Sequence, residues 1–109
     1  MNLRIKDIDS QQLHDWISQS PSNCRVIDVR ELKEVVNGQI RGAETMPLAT
    51  LPVRMTELRQ DEKIVIVCRS GARSAQACGF LQQFGYDQVY NLYGGMMAWQ
   101  ANNLPYGEI

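Results

Sequence analysis

The residues best suited to chemistry lie in a short polar loop that follows an apolar segment. Residues 64–67 are β-branched, and Cys68 comes directly after them. The loop continues as Arg69, Ser70, Gly71, Ala72, Arg73 and Ser74. A continuous apolar run is typical of a strand buried on both faces, and ligands bind beyond the carboxyl ends of such strands. We therefore expect Cys68 to lie at a ligand-binding edge of a sheet.

The composition of this loop favours a thiolate at Cys68. Backbone amides that converge in a tight loop bind anions, and the positive end of a following helix adds to their effect. The two arginines add positive charge, the two serines add hydroxyl donors, and Gly71 permits backbone angles that other residues resist. Because such surroundings lower the pKa of a cysteine, we predict that Cys68 is a nucleophile ionised at neutral pH. The alternative is a buried cysteine that acts as a small hydrophobic residue.

Three separate segments together resemble the signatures of one enzyme family. Residues 68–74 resemble the active-site loop of the rhodanese family of sulfurtransferases. The family's N-terminal signature is matched by residues 27–31, Glu34, residues 38–43 and residues 46–48. Its C-terminal signature is matched by residues 94–99 and 104–105. The sequence departs from the family at Gln39, where members usually carry histidine, and at Ala72, where they often carry a larger or charged residue.

The resemblance implies a rhodanese-like α/β fold and a thiosulfate sulfurtransferase-like activity. A sulfane sulfur would pass from a donor such as thiosulfate to cyanide, a thiol or a protein cysteine, through a persulfide on Cys68. Residues 69–74 would bind the small anionic donor, and an acceptor protein with a reactive cysteine is a further expected partner. The reaction requires neither a metal nor a cofactor, because sulfite leaves readily without a general acid.

Two other functions remain open from the residues. The first is a persulfide carrier or protein-interaction module with little turnover of its own, which would use the same chemistry at Cys68. The second, more distant, is a cysteine phosphatase. Those enzymes place arginine six positions after the cysteine, often with histidine before it, whereas this chain has Ser74 and Val67 at these positions. A loop one residue shorter than the phosphatase form should hold a smaller group than phosphate.

The totals indicate a small soluble protein without nucleic-acid or membrane partners. Its 109 residues fit a single domain over 1–109, and its net charge of −1 creates no general attraction for nucleic acid. No apolar run approaches the ~20 residues that span a bilayer, and the N-terminus lacks the apolar core of a secretory signal. Three cysteines without a C-x-x-C pattern and one histidine argue against zinc. We expect a cytoplasmic protein with reduced thiols.

Strands and helices alternate along the chain. We predict strands over residues 3–8, 25–29, 44–46, 64–67 and 88–92. We predict helices from Asp9 or Ser10 to a turn at 20–23, over 31–36, 48–58 and 75–84, and after the glycine pair at 94–95. For the segment 48–58, the alternative is a helix with Pro52 in its first turn. This order predicts a mainly parallel sheet of about five strands with helices on both faces. The loops that follow the strands should gather at one edge, with Cys68 at the bottom of a shallow pocket.

Asp28, Arg30 and Cys78 are predicted to be structural. Asp28 interrupts an apolar strand, so it needs a partner, and we expect it to order the neighbouring loop rather than act as a base. Arg30 is a candidate ion-pair partner in that support. Cys78 shares an apolar helix face and should be buried and inert. It follows Cys68 by nearly three helical turns, about 15 Å along the axis, so a disulfide between them is not expected.

Overall fold

The computed structural model describes residues 4–19 and 23–107 as an α/β fold built on a five-stranded sheet. The strands are β1 (Lys6–Ile8), β2 (Arg25–Asp28), β3 (Glu44–Thr45), β4 (Ile64–Val67) and β5 (Val89–Leu92). The helices are α1 (Ser10–Ser18), α2 (Leu32–Val35), α3 (Leu51–Arg54), α4 (Ala72–Gln83) and α5 (Gly95–Ala101). The strand order is β1-β5-β4-β2-β3, and each neighbouring pair is parallel. The predicted parallel sheet is confirmed, with β4 at its centre.

Helices cover both faces of the sheet, as predicted. Along β4, Ile64 and Ile66 belong to the hydrophobic cluster that includes side chains of α3 and α4. Val65 and Val67 belong to the opposite cluster, which includes side chains of α1 and α5. Successive side chains of a strand point to opposite faces, so the uninterrupted apolar run of β4 contributes to both cores. Cys68 continues this alternation on the α4 side of the sheet.

The start of α1 follows the capping pattern expected from the sequence. The Asp9 carboxylate accepts the backbone N–H of Gln12 at 2.8 Å, and the Gln12 side chain accepts the N–H of Asp9 at 2.9 Å. These reciprocal bonds satisfy amides that have no partner within the helix. Leu13, one turn into α1, is fully buried, which fixes this helix against β5 and α5.

The segment over residues 48–58 is not the single helix that its apolar spacing predicted. It forms a 3₁₀ helix (Leu48–Thr50), the single turn of α3 and a second 3₁₀ helix (Met55–Glu57). Pro52 lies in the first turn of α3 and has no N–H, so it interrupts a continuous ladder of helical hydrogen bonds. Leu51 and Leu58 are nevertheless buried. The apolar period therefore reflected burial and not an unbroken helix.

Other differences from the predicted secondary structure concern the ends of elements. The first strand begins at Lys6, and Leu3 and residues 20–22 of the predicted turn lie outside the described residues. Strand β2 ends at Asp28, and α2 is limited to Leu32–Val35. No helix among residues 4–19 and 23–107 has both the length and the apolar character needed to cross a membrane.

Candidate active site

Cys68 lies at the carboxyl end of the central strand, and its sulfur faces the first turn of α4. The backbone N–H of Gly71 donates to Sγ over 3.1 Å, and the N–H of Ser74 does so over 3.4 Å. The hydroxyl Oγ of Ser74 lies 3.3 Å from Sγ. Several hydrogen-bond donors therefore surround one sulfur atom, and they come from both the loop and the helix that follows it.

Helix α4 begins at Ala72, three residues earlier than the sequence predicted. Gly71 precedes the helix with φ +103°, a conformation that glycine adopts without the strain other residues meet. The chain thus passes from β4 into α4 through a turn of only a few residues. Ser74 lies in the first helical turn, where backbone N–H groups lack partners within the helix. One of these groups, the N–H of Ser74, is directed at the sulfur.

The hydrogen bonds to the sulfur determine its acidity. Burial raises the pKa of the Cys68 thiol, but bonds from the Ser74 hydroxyl and from the amides of Ser74, Gly71 and Ser70 lower it by more. The result is a pKa below the ordinary cysteine value of 9.0. The main causes of the lowering are amides and a hydroxyl rather than the two loop arginines. Such donors stabilise the thiolate relative to the thiol.

A chain of side chains extends from the sulfur to the edge of the sheet. The Ser74 hydroxyl donates a short hydrogen bond to Oδ1 of Asn91, a residue of β5 that is 4% exposed. The other end of this amide, Nδ2 of Asn91, donates to Oδ1 of Asp7 on β1 over 2.9 Å. Cys68, Ser74, Asn91 and Asp7 therefore form a continuous series of polar contacts from the end of β4 through α4 and β5 to β1.

The backbone of Cys68 is held from the other side by α5. The N–H of Met96 donates to the carbonyl of Cys68 at 2.9 Å, and the N–H of Met97 donates to the carbonyl of Arg69 at 3.0 Å. Gly95 has φ +56°, and a Cβ at this position would overlap both of these carbonyl groups. The first turns of two helices therefore meet at Cys68: α4 contacts its sulfur and α5 contacts its carbonyl. The glycine at position 95 allows this close approach of the two backbones.

The two loop arginines have different surroundings. Both guanidinium ends of Arg73 bond to the carboxylate of Glu34 on α2, at 2.7 and 2.8 Å. These bonds hold the pKa of Glu34 at about 2, so the pair stays charged. Arg69 is exposed, and its side chain has no hydrogen-bond or ion-pair partner within the part of the chain that the structure describes. The expectation that both arginines add free positive charge is therefore corrected for Arg73, because Glu34 balances its charge.

Asp28 and Arg30 form a buried ion pair beside the site. Arg30 donates to Asp28 from Nε at 2.9 Å and from Nη2 at 2.8 Å, and the two residues are 6% and 1% exposed respectively. Arg30 also donates to the carbonyl of Gly38 at 2.8 Å. The amide of Gln39 donates to Asp28 at 3.3 Å and to Thr45 at 2.9 Å. The Asp28 carboxylate is thus occupied by scaffold donors, and Gln39 takes part in the same network.

Cys68 is only 1% exposed at the end of β4, where we expected it at the bottom of a shallow pocket. The turn into α4 contacts its sulfur, and the start of α5 contacts its carbonyl. The side chains of Arg69, Ser70 and Ala72 are exposed over it. A groove of ≈ 420 Å³ on the same side of the sheet includes Arg73 in its wall.

Sequence reasoning did not assign a role to Glu34 or Asn91, although both contact the loop. Asn91 carries the signal that marked Asp28: it is a polar residue near the carboxyl end of an otherwise apolar strand. Such a residue needs a partner once it is buried, and it finds one in Ser74. Glu34 belongs to the N-terminal segment that resembles the family signature, but its type and position did not indicate that it would pair with Arg73.

Known proteins share this arrangement of sheet and loop. Residues 9–102 match the family model described as a Rhodanese-like domain. The chain belongs to the rhodanese family. It is 41% identical to a sulfurtransferase from Allochromatium vinosum over 101 residues, which cover 93% of this chain and 94% of that protein. The crystal structure of a rhodanese-related protein from Thermoplasma volcanium matches it with a TM-score of 0.85 at 29% identity, covering 94% of this chain and 97% of that one.

Relatives within the rhodanese family carry more than one functional name. The putative sulfur carrier protein YrkF from Bacillus subtilis is 34% identical over 80 residues, which cover 73% of this chain but only 43% of that protein. Family membership and the relatives named sulfurtransferase support a sulfurtransferase activity for this chain. Sulfur handling is common to the names of both relatives.

Proposed function

We propose that the protein transfers a sulfane sulfur from an anionic donor to a nucleophilic acceptor, with Cys68 as the nucleophile. The Cys68 thiolate attacks the outer sulfur of a donor such as thiosulfate, the bond between the two donor sulfurs breaks, and sulfite leaves with its electron pair. The product is a Cys68 persulfide anion. Cyanide, a small thiol or a protein cysteine then attacks the terminal sulfur, and the Cys68 thiolate is regenerated. Charge and atoms balance in both steps without a redox cofactor.

The observation that carries this proposal is the convergence of donors on one sulfur. The amides of Gly71 and Ser74 and the Ser74 hydroxyl all lie within hydrogen-bond distance of Sγ. Donors fixed in this way stabilise a sulfur anion before and after transfer, as an oxyanion hole stabilises oxygen. Ser70 contributes a further amide to the lowering of the Cys68 pKa. A side chain that acts as a general base is not required, because these donors favour the thiolate and lower the pKa of Cys68.

The exposed loop residues would receive the donor. Arg69 carries a guanidinium without a partner among the described residues, so it is the residue best placed to attract an anion. Arg73 would contribute less, since Glu34 already balances it. Asp28 and Arg30 would hold the neighbouring strand end in place. A reducing compartment such as the cytoplasm suits this chemistry, because an ionised thiol is readily oxidised.

Phosphate transfer is disfavoured by the contacts of the loop. A cysteine phosphatase needs an arginine that points at the bound phosphate from the start of the helix. Here the corresponding position is Ser74, which contacts the sulfur itself, and the preceding Arg73 is paired with Glu34. A group larger than one sulfur atom would have to displace these contacts.

Sulfur carriage with little turnover is the second candidate, and the burial of Cys68 favours it. Cys68 is 1% exposed, which would limit the access of small acceptors to its sulfur. A relative is named as a putative sulfur carrier. Carriage and turnover share the Cys68 persulfide and differ in which acceptor removes its terminal sulfur. A partner protein that presents a reactive cysteine would then be the natural acceptor.

Mass spectrometry of the protein after incubation with thiosulfate tests the proposal. We expect the mass to increase by one sulfur atom on the peptide that contains Cys68, and cyanide to remove the addition. The Cys68→Ser variant should show no addition, whereas Cys78→Ala should retain it. If the addition persists in Cys68→Ser, the nucleophile is a different residue. If aryl phosphate is hydrolysed and no persulfide forms with any sulfane donor, the proposed reaction is wrong.

A further inference from the structure

The polar chain that ends at Asp7 has a fixed order of hydrogen-bond donors and acceptors, which the sulfur-transfer reaction does not explain. Its members are Cys68, Ser74, Asn91 and Asp7, and they belong to the β4 end, α4, β5 and β1 respectively. A carboxylate only accepts hydrogen bonds, so Asp7 must face the NH₂ end of the Asn91 amide. The oxygen end of that amide is then forced to face Ser74.

The orientation of Asn91 decides where the single proton of the Ser74 hydroxyl goes. Because Oδ1 of Asn91 is an acceptor, the Ser74 hydroxyl donates to it. The Ser74 oxygen, 3.3 Å from Sγ, is then free to accept the S–H of a neutral Cys68 thiol. When Cys68 ionises, its sulfur becomes an acceptor and faces the Ser74 oxygen, which is also an acceptor while its proton is bonded to Asn91. The repulsion is relieved only if the Ser74 hydroxyl turns from Asn91 to the sulfur. Asn91 and the Cys68 sulfur therefore compete for one proton.

We propose that Asp7 and Asn91 are positioning residues that control hydrogen-bond donation from Ser74 to Cys68. In the resting thiol they hold the Ser74 hydroxyl away from the sulfur, and its release to the sulfur accompanies ionisation or persulfide formation. The consequence is that Asp7, an exposed residue on an edge strand, tunes a buried nucleophile that it does not contact. The inference rests on the proposed role of Cys68 as the reactive sulfur.

Other charged groups around Cys68 already have fixed partners or lie in solvent. Arg73 is paired with Glu34, Arg30 is paired with Asp28, and Arg69 is exposed. On the same strands and helix as the polar chain, Lys6 of β1 donates to the carbonyl of Asp87, Tyr90 of β5 contacts the ring of Trp16, and Cys78 of α4 is a buried thiol. None of them is bonded to the Asn91 amide. The proposed control by Asp7 can therefore be measured against a constant electrostatic background.

The experiment measures the pH at which alkylation of Cys68 is half-maximal in variants of Asp7. Asp7→Ala removes the acceptor that fixes the amide, so Asn91 can turn and offer its NH₂ to Ser74. The Ser74 proton then belongs to the sulfur, and the alkylation midpoint should fall by about 0.5 to 1 pH unit. Asp7→Asn removes the charge but keeps a carbonyl oxygen that accepts from Asn91, so its midpoint should stay near that of the original protein.

The same Asp7→Ala change in a Ser74→Ala background distinguishes an effect that passes through the hydrogen bonds from a direct effect of the lost charge. If the effect passes through the Ser74 hydroxyl, the double variant should have the midpoint of Ser74→Ala alone. An unchanged midpoint in Asp7→Ala, an equal shift in Asp7→Asn, or a shift that persists without the Ser74 hydroxyl would each overturn the proposal. Alkylation does not require sulfur transfer, so absence of a persulfide would count against the proposed function and leave this inference standing.

Discussion

Two buried cysteines in the same hydrophobic cluster have opposite chemical environments. Cys68 and Cys78 are 1% and 0% exposed, and both pack between the sheet and α4. Hydrogen bonds from Ser74, Gly71 and Ser70 overcome the effect of burial and lower the pKa of Cys68. Burial, with smaller contributions from the charges of Asp7 and Cys68, raises the pKa of Cys78 to about 12.

The comparison shows that burial alone does not decide whether a cysteine is reactive. The sulfur of Cys68, at the end of β4, faces the first turn of α4, where backbone N–H groups have no partner within the helix, whereas Cys78 lies in the helix interior, where these groups bond to the helix itself. The prediction that Cys78 is buried is confirmed. Whether the thiol faces the first turn of α4 or lies within the helix therefore separates a candidate nucleophile from a packing residue.

Alkylation of the folded protein should give the largest difference between these two thiols. The thiolate is the reactive form, so the rate rises with pH through the pKa of each thiol. Half-maximal alkylation of Cys68 should fall below the ordinary value of 9.0, whereas Cys78 should remain a thiol until the pH nears 12. Peptide mass spectrometry after a pH series with iodoacetamide measures both. Equal rates at neutral pH would show that the difference in environment has no chemical effect.

A second contrast uses one glycine near each cysteine. Gly95→Ala would place a Cβ against the carbonyls of Cys68 and Arg69 at φ +56°, so it should cost about 2 kcal/mol of unfolding free energy or more and slow alkylation of Cys68. Gly79→Ala, within α4, would meet only Ile5, at 3.7 Å, and should stabilise the protein by about 0.5–1 kcal/mol. Urea unfolding followed by alkylation checks both. A tolerated Gly95→Ala would mean that α5 does not hold the loop.

The hydroxyl at position 74 should account for a smaller part of the difference. Ser74→Ala removes one donor from the sulfur, so the pKa of Cys68 should rise and its thiolate at neutral pH should decrease about tenfold. Ser70→Ala is the matched control, because the exposed Ser70 contributes its amide, which the change keeps. Both are read as alkylation rates at neutral pH. A Ser74→Ala rate equal to that of Ser70→Ala would assign the lowered pKa to amides alone.

The smallest expected effect concerns the charge around the loop. Glu34→Gln removes the carboxylate that balances Arg73, so the KM for thiosulfate should decrease by about threefold to fivefold. The alkylation rate of Cys78 should change little. Glu57→Gln removes a comparable partner from Arg54 elsewhere on the surface and should leave the KM unchanged. Steady-state turnover with cyanide as acceptor provides the measurement. A KM that is the same in both variants would exclude Arg73 from donor binding.

The sequence contained the fold and the location of the thiol, because both depend on local patterns. The apolar run of β4, the cysteine at its end and the glycine after it could be recognised along a short stretch. The contacts that distinguish the site are long-range. Arg73 meets a carboxylate 39 residues away, and Ser74 meets an amide 17 residues away. These contacts depend on how α2 and β5 pack against the loop, and the hydrophobic periodicity of the sequence does not contain that information.

The start of α4 was missed for a related reason. Helices often begin after serine, threonine or aspartate, whereas this one begins after Gly71 in the left-handed conformation. Residues 72–74 were therefore assigned to the loop from the sequence, although they form the first helical turn. The shallow pocket was predicted from the usual position of ligand sites in α/β sheets. The sequence did not indicate that Cys68 would be only 1% exposed, because the backbone contacts between α5 and the loop follow no local pattern.

Since much of the contact with the reactive sulfur comes from the main chain, the outward side chains at positions 69, 70 and 72 are separable from it. Those positions can be randomised in a library while the nucleophile keeps its amide contacts. A scaffold of this kind allows new sulfur donors or acceptor proteins to be selected at its surface without rebuilding the reactive centre. Glycine at positions 71 and 95 would have to be kept in every member of such a library.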